Sequence, residues 1–247
     1  MFFLNKSLLF VLLILTGNTY GLPEPLPVFI SLGGDCQVSF ALKAHELRQV
    51  AYPFDWMMAL NFDGVCRVIE NRFKDFLNPH YLKHGINSVI NTYYEILFMH
   101  DFPTISKAEW MTGEDTLLLG HVVDNFLDDV DNVSQKYTRR INRFLQLLEG
   151  PSKVVFIRTH ITPNQAQSFV TMMAKNYPLS DYLLLAVHGD PSLDYYWNIA
   201  RVESFYAQQK HSDPAYAIWD WFHDDEWKKL FIKSGFIQPR SSAENRQ

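Results

Sequence analysis

The chain has 247 residues, a formal net charge of −5 at neutral pH and 15% aromatic residues. This length fits one domain with a large buried core. A mildly acidic chain without a basic run lacks the electrostatic footprint that nucleic-acid binding requires, and anionic membrane surfaces are equally poor partners. We therefore expect a globular protein that does not act on nucleic acid.

Residues 1–21 have the pattern of a signal peptide. Lys6 precedes a short apolar run, and small residues stand at positions −3 and −1 of a cleavage site after Gly21. The run is far shorter than the ~20 residues of a membrane helix, although an uncleaved anchor is the alternative. We expect a secreted or periplasmic protein with no membrane span after cleavage.

Cys36 lies between a predicted strand and a predicted helix. The apolar run at residues 28–32 predicts a buried strand, Gly33 and Gly34 end it, and helical spacing follows over residues 37–47. A helix N-terminus lowers the pKa of a thiol, and its free N–H groups can hold an oxyanion. The glycines let a substrate approach the backbone. The pattern indicates a nucleophile, with a buried structural cysteine as the alternative.

The rest of the chain alternates between helical and strand patterns. Predicted helices cover 62–76, 124–148, 163–176 and 220–233, and predicted strands cover 91–102, 153–158, 182–187 and 201–206. This alternation favours an α/β fold, a three-layer sandwich with a mostly parallel sheet covered on both faces. We assign residues 22–233 to one α/β domain and residues 234–247 to a polar tail.

Three ordered motifs resemble a known family. Ser-Leu-Gly-Gly-Asp-Cys-Gln-Val occupies residues 31–38, Pro-Phe-Asp-Trp occupies residues 53–56, and His-Asp-Phe occupies residues 100–102. Together they resemble a mainly bacterial family of unknown function described as papain-like cysteine peptidases. The resemblance implies a cysteine nucleophile. It also implies an alternative fold, a papain-like α+β arrangement in which the cysteine helix packs on an antiparallel sheet.

A cysteine nucleophile needs a base and a group that orients the base. His100 matches the family motif and ends a predicted strand, so it is the predicted base, with His188 as the rival. Asp55 is the predicted orienting carboxylate, because Asp101 would point to the opposite face of a strand from its neighbour. A helix-capping turn is an equally open role for Asp55.

Arginines are the predicted anion-binding groups. Arg158 ends an apolar strand, where a charge must be paired or must face a ligand. A guanidinium can clamp a carboxylate or a phosphate. Arg139 and Arg140 also match family motifs, but their amphipathic helix favours structural ion pairs. The predicted substrate-binding residues are Arg48, Arg158, Gly33 and Gly34.

The predicted function is a thiol-dependent hydrolase or acyl transferase acting on an amide or ester bond. Its substrate has a carbonyl centre and can be anionic. Two alternatives stay open, a non-catalytic glycan- or anion-binding module and a GDSL-like esterase with Cys in place of Ser, which would use Asp220 and His223.

No cofactor or metal is predicted, because no Cys-x-x-Cys pair or phosphate-binding loop is present. After export, a disulfide between Cys36 and Cys66 would disable the nucleophile.

Overall fold

The computed structural model describes residues 26–59, 61–85, 87–105, 121–210 and 222–238. These residues form ten strands, β1 Val28–Ser31, β2 Met57–Ala59, β3 Leu82–His84, β4 Val89–Asn91, β5 Ile96–Phe98, β6 Thr104–Ile105, β7 His121–Val122, β8 Val154–Thr159, β9 Tyr182–His188 and β10 Val202–Tyr206. They also form five α-helices, α1 Gln37–Ala44, α2 Phe62–Glu70, α3 Val130–Glu149, α4 Pro163–Asn176 and α5 Asp224–Lys233. The predicted signal peptide lies outside the described residues and stays a prediction.

Four strands form a parallel sheet in the order β1–β8–β9–β10. The register pairs Ser31 with Ile157, and Ile157 in turn with Leu185. Every residue of β8 is buried, as expected for a strand covered on both faces. The predicted α/β class is confirmed, and its main sheet is parallel.

The parallel sheet is the middle layer of three. Phe156 faces a large apolar cluster that includes residues of α2, α3 and α4, whereas its neighbours Val155 and Ile157 face a smaller cluster with α1 and α5. This division follows from the alternating directions of side chains along a strand. The arrangement matches the predicted three-layer sandwich.

A second, antiparallel sheet, in the order β2–β5–β4–β3, adds residues to the larger cluster. The prediction of one strand over residues 91–102 is wrong, because β4 and β5 are separate strands that pair as a hairpin. The side chain of Asn91 accepts the backbone N–H groups of Tyr93 and Tyr94, each at 2.9 Å. This local turn overrides the strand propensity of the two tyrosines, and β5 then pairs with both β4 and β2.

Helix boundaries follow local chemistry. A capping box formed by Thr162 and Gln165 starts α4, with Pro163 in its first turn. Helix α2 ends at Glu70, earlier than the predicted 76, because the residues after it adopt the left-handed φ angles of 53°, 61° and 59° at Arg72, Phe73 and Asp75. A helix cannot continue through such residues.

The packed domain continues beyond α5. Phe236 and Ile237, predicted as part of the polar tail, pack against the smaller apolar cluster, and the ring of Phe236 lies 4.9 Å from that of Phe29. The start of the predicted helix over 220–233 falls partly outside the described residues, which resume at residue 222. Within the described ranges, no helix is long and apolar enough to cross a membrane.

Candidate active site around Cys36

Cys36 is the N-cap residue of α1, at the predicted junction with β1. Gly33 and Gly34 lead into it with φ angles of 73° and 102°, which glycine adopts without steric cost. A Cβ on Gly34 would come within 2.3 Å of the hydroxyl oxygen of Thr159. The loop therefore passes directly over the end of β8, and this close passage fixes the half-buried Cys36.

The thiol of Cys36 contacts the imidazole of His100. The Sγ atom lies 3.5 Å from Nε2, within hydrogen-bonding distance for sulfur. His100 is exposed and follows β5 in the turn after the hairpin, and the ring of Trp56 packs edge-on against it at 6.4 Å. The structure thus brings together two of the three predicted catalytic residues, at a distance that permits direct proton transfer.

The surroundings of Cys36 oppose thiolate formation. Burial raises the pKa of the thiol to about 12, and the negative charges of Asp35 and Asp101 act in the same direction. Moreover, the backbone N–H of Gln37 donates to Asp35 Oδ1 at 2.8 Å. A helix N-terminus was expected to lower the thiol pKa, but here burial and two carboxylates outweigh it. Burial and the two carboxylates therefore favour the protonated thiol over the thiolate.

Asp35 and His160 form a second polar group beside Cys36. Asp35 is buried, accepts the Gln37 side-chain amide at 2.6 Å and lies 3.8 Å from His160 Nε2. Burial raises the pKa of Asp35, against the Gln37 hydrogen bonds and the positive charges of His160 and Arg158. Neither residue was a predicted site residue. The Gly-Asp-Cys sequence could have indicated Asp35, whereas no local pattern marks His160.

Asp55 is bound to Arg48. Its Oδ2 accepts from Arg48 Nε and Nη2 at 3.1 and 2.9 Å and from the Tyr52 N–H at 3.0 Å. Arg48 lies over the Trp56 ring at 5.0 Å, and that ring contacts His100. No carboxylate hydrogen-bonds to the His100 ring within the part of the chain that the structure describes. Arg48 and Trp56 therefore lie between Asp55 and the imidazole, and the predicted catalytic role of Asp55 stays a prediction.

Arg158 links the parallel sheet to the antiparallel sheet by hydrogen bonds. Its guanidinium donates to the carbonyls of Leu32 and Ala59 at 3.1 and 3.2 Å, and it lies over the ring of Phe62 at 5.0 Å. Burial lowers the pKa of Arg158 to about 10. With 3% of its surface exposed, the side chain has little surface for a substrate. This geometry favours a structural role over the predicted binding role, as does the packing of Gly33 against the same guanidinium.

A cavity of about 380 Å³ opens beside His100. It is lined by Phe40, Trp56, His100, Asp101, Lys136 and Arg140. Asp101 accepts from Lys136 at 2.5 Å and from the Tyr137 hydroxyl at 2.7 Å. Lys136 was not singled out from the sequence, and Arg140 was assigned to structural ion pairs. The cavity therefore adds a cationic and aromatic wall that sequence patterns did not predict.

The rival catalytic histidines lie in other settings. The Nδ1 atom of His188 lies 3.1 Å from the carbonyl of Asp190, and the ring stacks on Trp197 at 5.4 Å. His223 is the N-cap residue of α5 but makes no side-chain capping hydrogen bond, and Asp220 lies outside the described residues. Within those residues, neither histidine hydrogen-bonds to the thiol of Cys36, so the geometry gives the esterase arrangement no support.

Cys66 is buried in α2, and both cysteines are free thiols in this structure. Burial raises the pKa of Cys66 to about 12. The disulfide alternative is not the state that the structure shows.

Three further residues form a cluster of potential metal ligands that includes neither Cys36 nor His100. Ligand atoms of His84, His121 and Asp124 lie within 4.8 Å of one another, a donor set that suits a divalent transition metal. The prediction of no metal rested on motifs and did not include these three residues, which come from β3, from β7 and from the turn after β7.

Cys36 and His100 form, within an α/β fold, a cysteine–histidine pair of the kind that cysteine peptidases use. The chain belongs to the family described as "Putative papain-like cysteine peptidase (DUF1796)", which matches residues 27–179. It is also 26% identical over 196 residues to "Uncharacterized protein R408" of Acanthamoeba polyphaga mimivirus, across 69% of this chain and 81% of that protein. No solved structure matches significantly. Family membership is confirmed, while a mainly bacterial distribution stays a prediction, since this relative is viral.

Proposed function

We propose that the protein is a thiol-dependent hydrolase or acyl transferase that acts on an amide or ester bond. The observation that carries this proposal is the 3.5 Å contact between Cys36 Sγ and His100 Nε2. The family description adds support at the level of a cysteine-peptidase-like function.

The reaction would proceed through a thioester on Cys36. As Sγ forms a bond to the substrate carbonyl carbon, its proton moves to His100 Nε2 and the carbonyl oxygen becomes an oxyanion. The C–N or C–O bond then breaks, and the proton passes from His100 to the leaving amine or alcohol. Attack by water, or by another acceptor, on the thioester releases the acyl group and restores the thiol.

The high pKa of the thiol determines the role of the base. Because burial and two carboxylates hold the proton on Sγ, His100 must take it during attack, rather than stabilise a thiolate formed beforehand. The predicted oxyanion donors are the N–H groups of residues 36–38. Gln37 donates to Asp35, which leaves the N–H groups of Cys36 and Val38 for this role.

The test is covalent capture by activated acyl substrates. The purified chain would be treated with p-nitrophenyl esters and peptidyl anilides, and the acylated peptide would be identified by mass spectrometry. We expect a thioester on Cys36, none in Cys36→Ala, and a rate at least 100-fold lower in His100→Ala. Cys66→Ser is the matched control and keeps the activity. Turnover that is unchanged in Cys36→Ala would refute the proposal.

The second candidate is a non-catalytic glycan- or anion-binding module, in which Cys36 only packs; the raised pKa of the thiol agrees with this because it disfavours a thiolate. In that case ligand binding would be indifferent to Cys36→Ser, and no acyl adduct would form with any substrate.

We also propose that the chain is exported after cleavage behind Gly21, on the signal pattern of residues 1–21. Expression of the full chain in a secretory host, followed by N-terminal sequencing, tests this. A mature N-terminus at Leu22 is expected, and a cell-retained protein that begins at Met1 would contradict it.

A further inference from the structure

We propose that the cavity beside His100 binds a carboxylate that is attached to an apolar or aromatic group, and that Arg140 recognises the carboxylate. This inference rests on the proposed function, because it treats the cavity as the part of the active site that selects the substrate. Neither predicted binding arginine supplies this group, since Arg48 is paired with Asp55 and Arg158 is buried.

The apolar part of the ligand would lie against aromatic walls. Phe40 and Trp56 line the cavity with their rings 5.1 Å apart in an edge-to-face arrangement. Phe40 is 48% exposed. A ligand that covers part of this apolar surface would gain binding free energy. His100 lines the same cavity and contacts the thiol, so a ligand held there lies beside the reacting atoms.

Of the two cationic side chains that line the cavity, Lys136 has an anionic partner among the described residues and Arg140 does not. Lys136 is neutralised by Asp101, whose other oxygen accepts from Tyr137. Among the described residues, Asp101 makes its ion pair with Lys136 and none with Arg140. Asp55 feels the positive charge of Arg140, but its hydrogen bonds come from Arg48 and the backbone.

Arg140 has a half-buried guanidinium without an anionic partner among the described residues. It lies over the ring of Tyr137 at 5.3 Å, and its Nη1 atom is buried with no hydrogen-bond acceptor. A desolvated donor of this kind is costly to leave unpaired. A carboxylate that enters the cavity would give the guanidinium of Arg140, which lines it, an anionic partner through a charge-assisted bond. A guanidinium favours planar oxyanions over neutral amides.

Paired ligands of equal shape test the inference. The Cys36→Ser chain would be titrated calorimetrically with 3-phenylpropionate and with 3-phenylpropanamide. We expect the carboxylate to bind at least tenfold more tightly than the amide. Arg140→Gln should abolish this preference, whereas Arg139→Gln, an exposed neighbour on α3, should keep it. Equal affinity for the two ligands, or a preference that survives Arg140→Gln, would overturn the inference.

A second, conservative variant keeps the inference testable if Arg140→Gln does not fold. If Arg140→Gln does not fold, Arg140→Lys keeps the charge but loses the planar fork, and the preference should weaken; an unchanged preference would overturn the inference. The acyl-capture assay on the wild-type chain separates this inference from the proposed function. Carboxylate preference without an acyl adduct would refute the hydrolase and retain the site, and an adduct without carboxylate preference would refute only the site.

Discussion

Asp35 accepts the backbone N–H of Gln37 at 2.8 Å, and this bond places a buried carboxylate at the N-terminus of α1, next to Cys36. Helix N-termini attract anions, but here the anion that takes the N–H is a side-chain carboxylate and not the thiolate. In the proposed reaction, the thiol of Cys36 would therefore keep its proton until His100 removes it.

Asp35→Asn should therefore make Cys36 easier to ionise. The substitution removes a negative charge that raises the thiol pKa, while an amide oxygen can still accept from Gln37. We expect the pH midpoint of Cys36 alkylation by iodoacetamide to fall by about one pH unit. The rate at each cysteine against pH, measured by peptide mass spectrometry, checks this.

Asp63→Asn is the matched control for that experiment. Asp63 lies in the first turn of α2, and its charge raises the pKa of Cys66. The control should shift the midpoint of Cys66 and leave Cys36 unchanged. If Asp35→Asn leaves the Cys36 midpoint where it was, the electrostatic account of the thiol fails.

Gly34→Ala should destabilise the fold more than an alanine at another left-handed glycine. The new Cβ would meet the Thr159 hydroxyl at 2.3 Å at a φ of 102°, whereas Gly235 has a φ of 75° with nothing within 4 Å. We expect a loss of about 2–4 kcal/mol in the free energy of unfolding for Gly34→Ala and of about 1 kcal/mol for Gly235→Ala. Urea unfolding measures both.

Thr159→Ala distinguishes the two expected causes of instability in Gly34→Ala, which are the clash with the Thr159 hydroxyl and the backbone strain at a positive φ. It removes the clashing hydroxyl and leaves the backbone strain, so the double variant should recover part of the loss. A double variant as unstable as the sum of the two single changes would show that the contact with Thr159 is not the cause.

Arg158→Met should cost more stability than Arg201→Met. Both arginines donate to a backbone carbonyl and lie over an aromatic ring, but Arg158 is buried and joins two sheets, whereas Arg201 is exposed. We expect about 3 kcal/mol or more at Arg158, since two buried carbonyls lose their donor, and about 1 kcal/mol or less at Arg201. Unfolding in urea gives both values. A near-neutral Arg158→Met with impaired substrate binding would instead restore the predicted binding role.

Local sequence patterns predicted the parts of the fold that depend on local physics. Apolar strands and amphipathic helices in alternation gave the parallel sheet, and the apolar run before Gly33 placed Cys36 at its strand–helix junction. The β4–β5 hairpin could not be predicted from strand propensity, because one side chain, Asn91, organises the turn by accepting two N–H groups.

The candidate site was only partly predictable, for a physical reason. Cys36 and His100 were found through motifs, but their contact joins residues 64 positions apart. The sign of the thiol pKa shift depends on burial and on charges such as Asp101, whose place is fixed by Tyr137 on a distant helix. The amphipathic pattern of its helix favoured a structural ion pair for Arg140, and only the three-dimensional structure shows that no such pair forms among the described residues.

His188 should give the fold a measurable pH dependence. Burial lowers its pKa, although contacts with Asp190 act in the opposite direction. An unfolded histidine titrates near pH ~6.5, so below that pH the unfolded state takes up a proton that folded His188 resists. Its contribution to stability is therefore fully present above pH ~6.5 and is lost as the pH falls through the lowered folded pKa.

His188→Phe removes this titration and keeps an aromatic ring against Trp197. We expect the free energy of unfolding, measured in urea between pH 7.5 and pH 5, to fall less steeply in this variant than in the wild-type chain. His80→Gln, at an exposed histidine, is the control and should keep the wild-type slope. An equal slope in His188→Phe and wild type would mean that His188 is protonated as easily in the folded chain as in the unfolded one, and its stacking in the core would then carry no electrostatic cost.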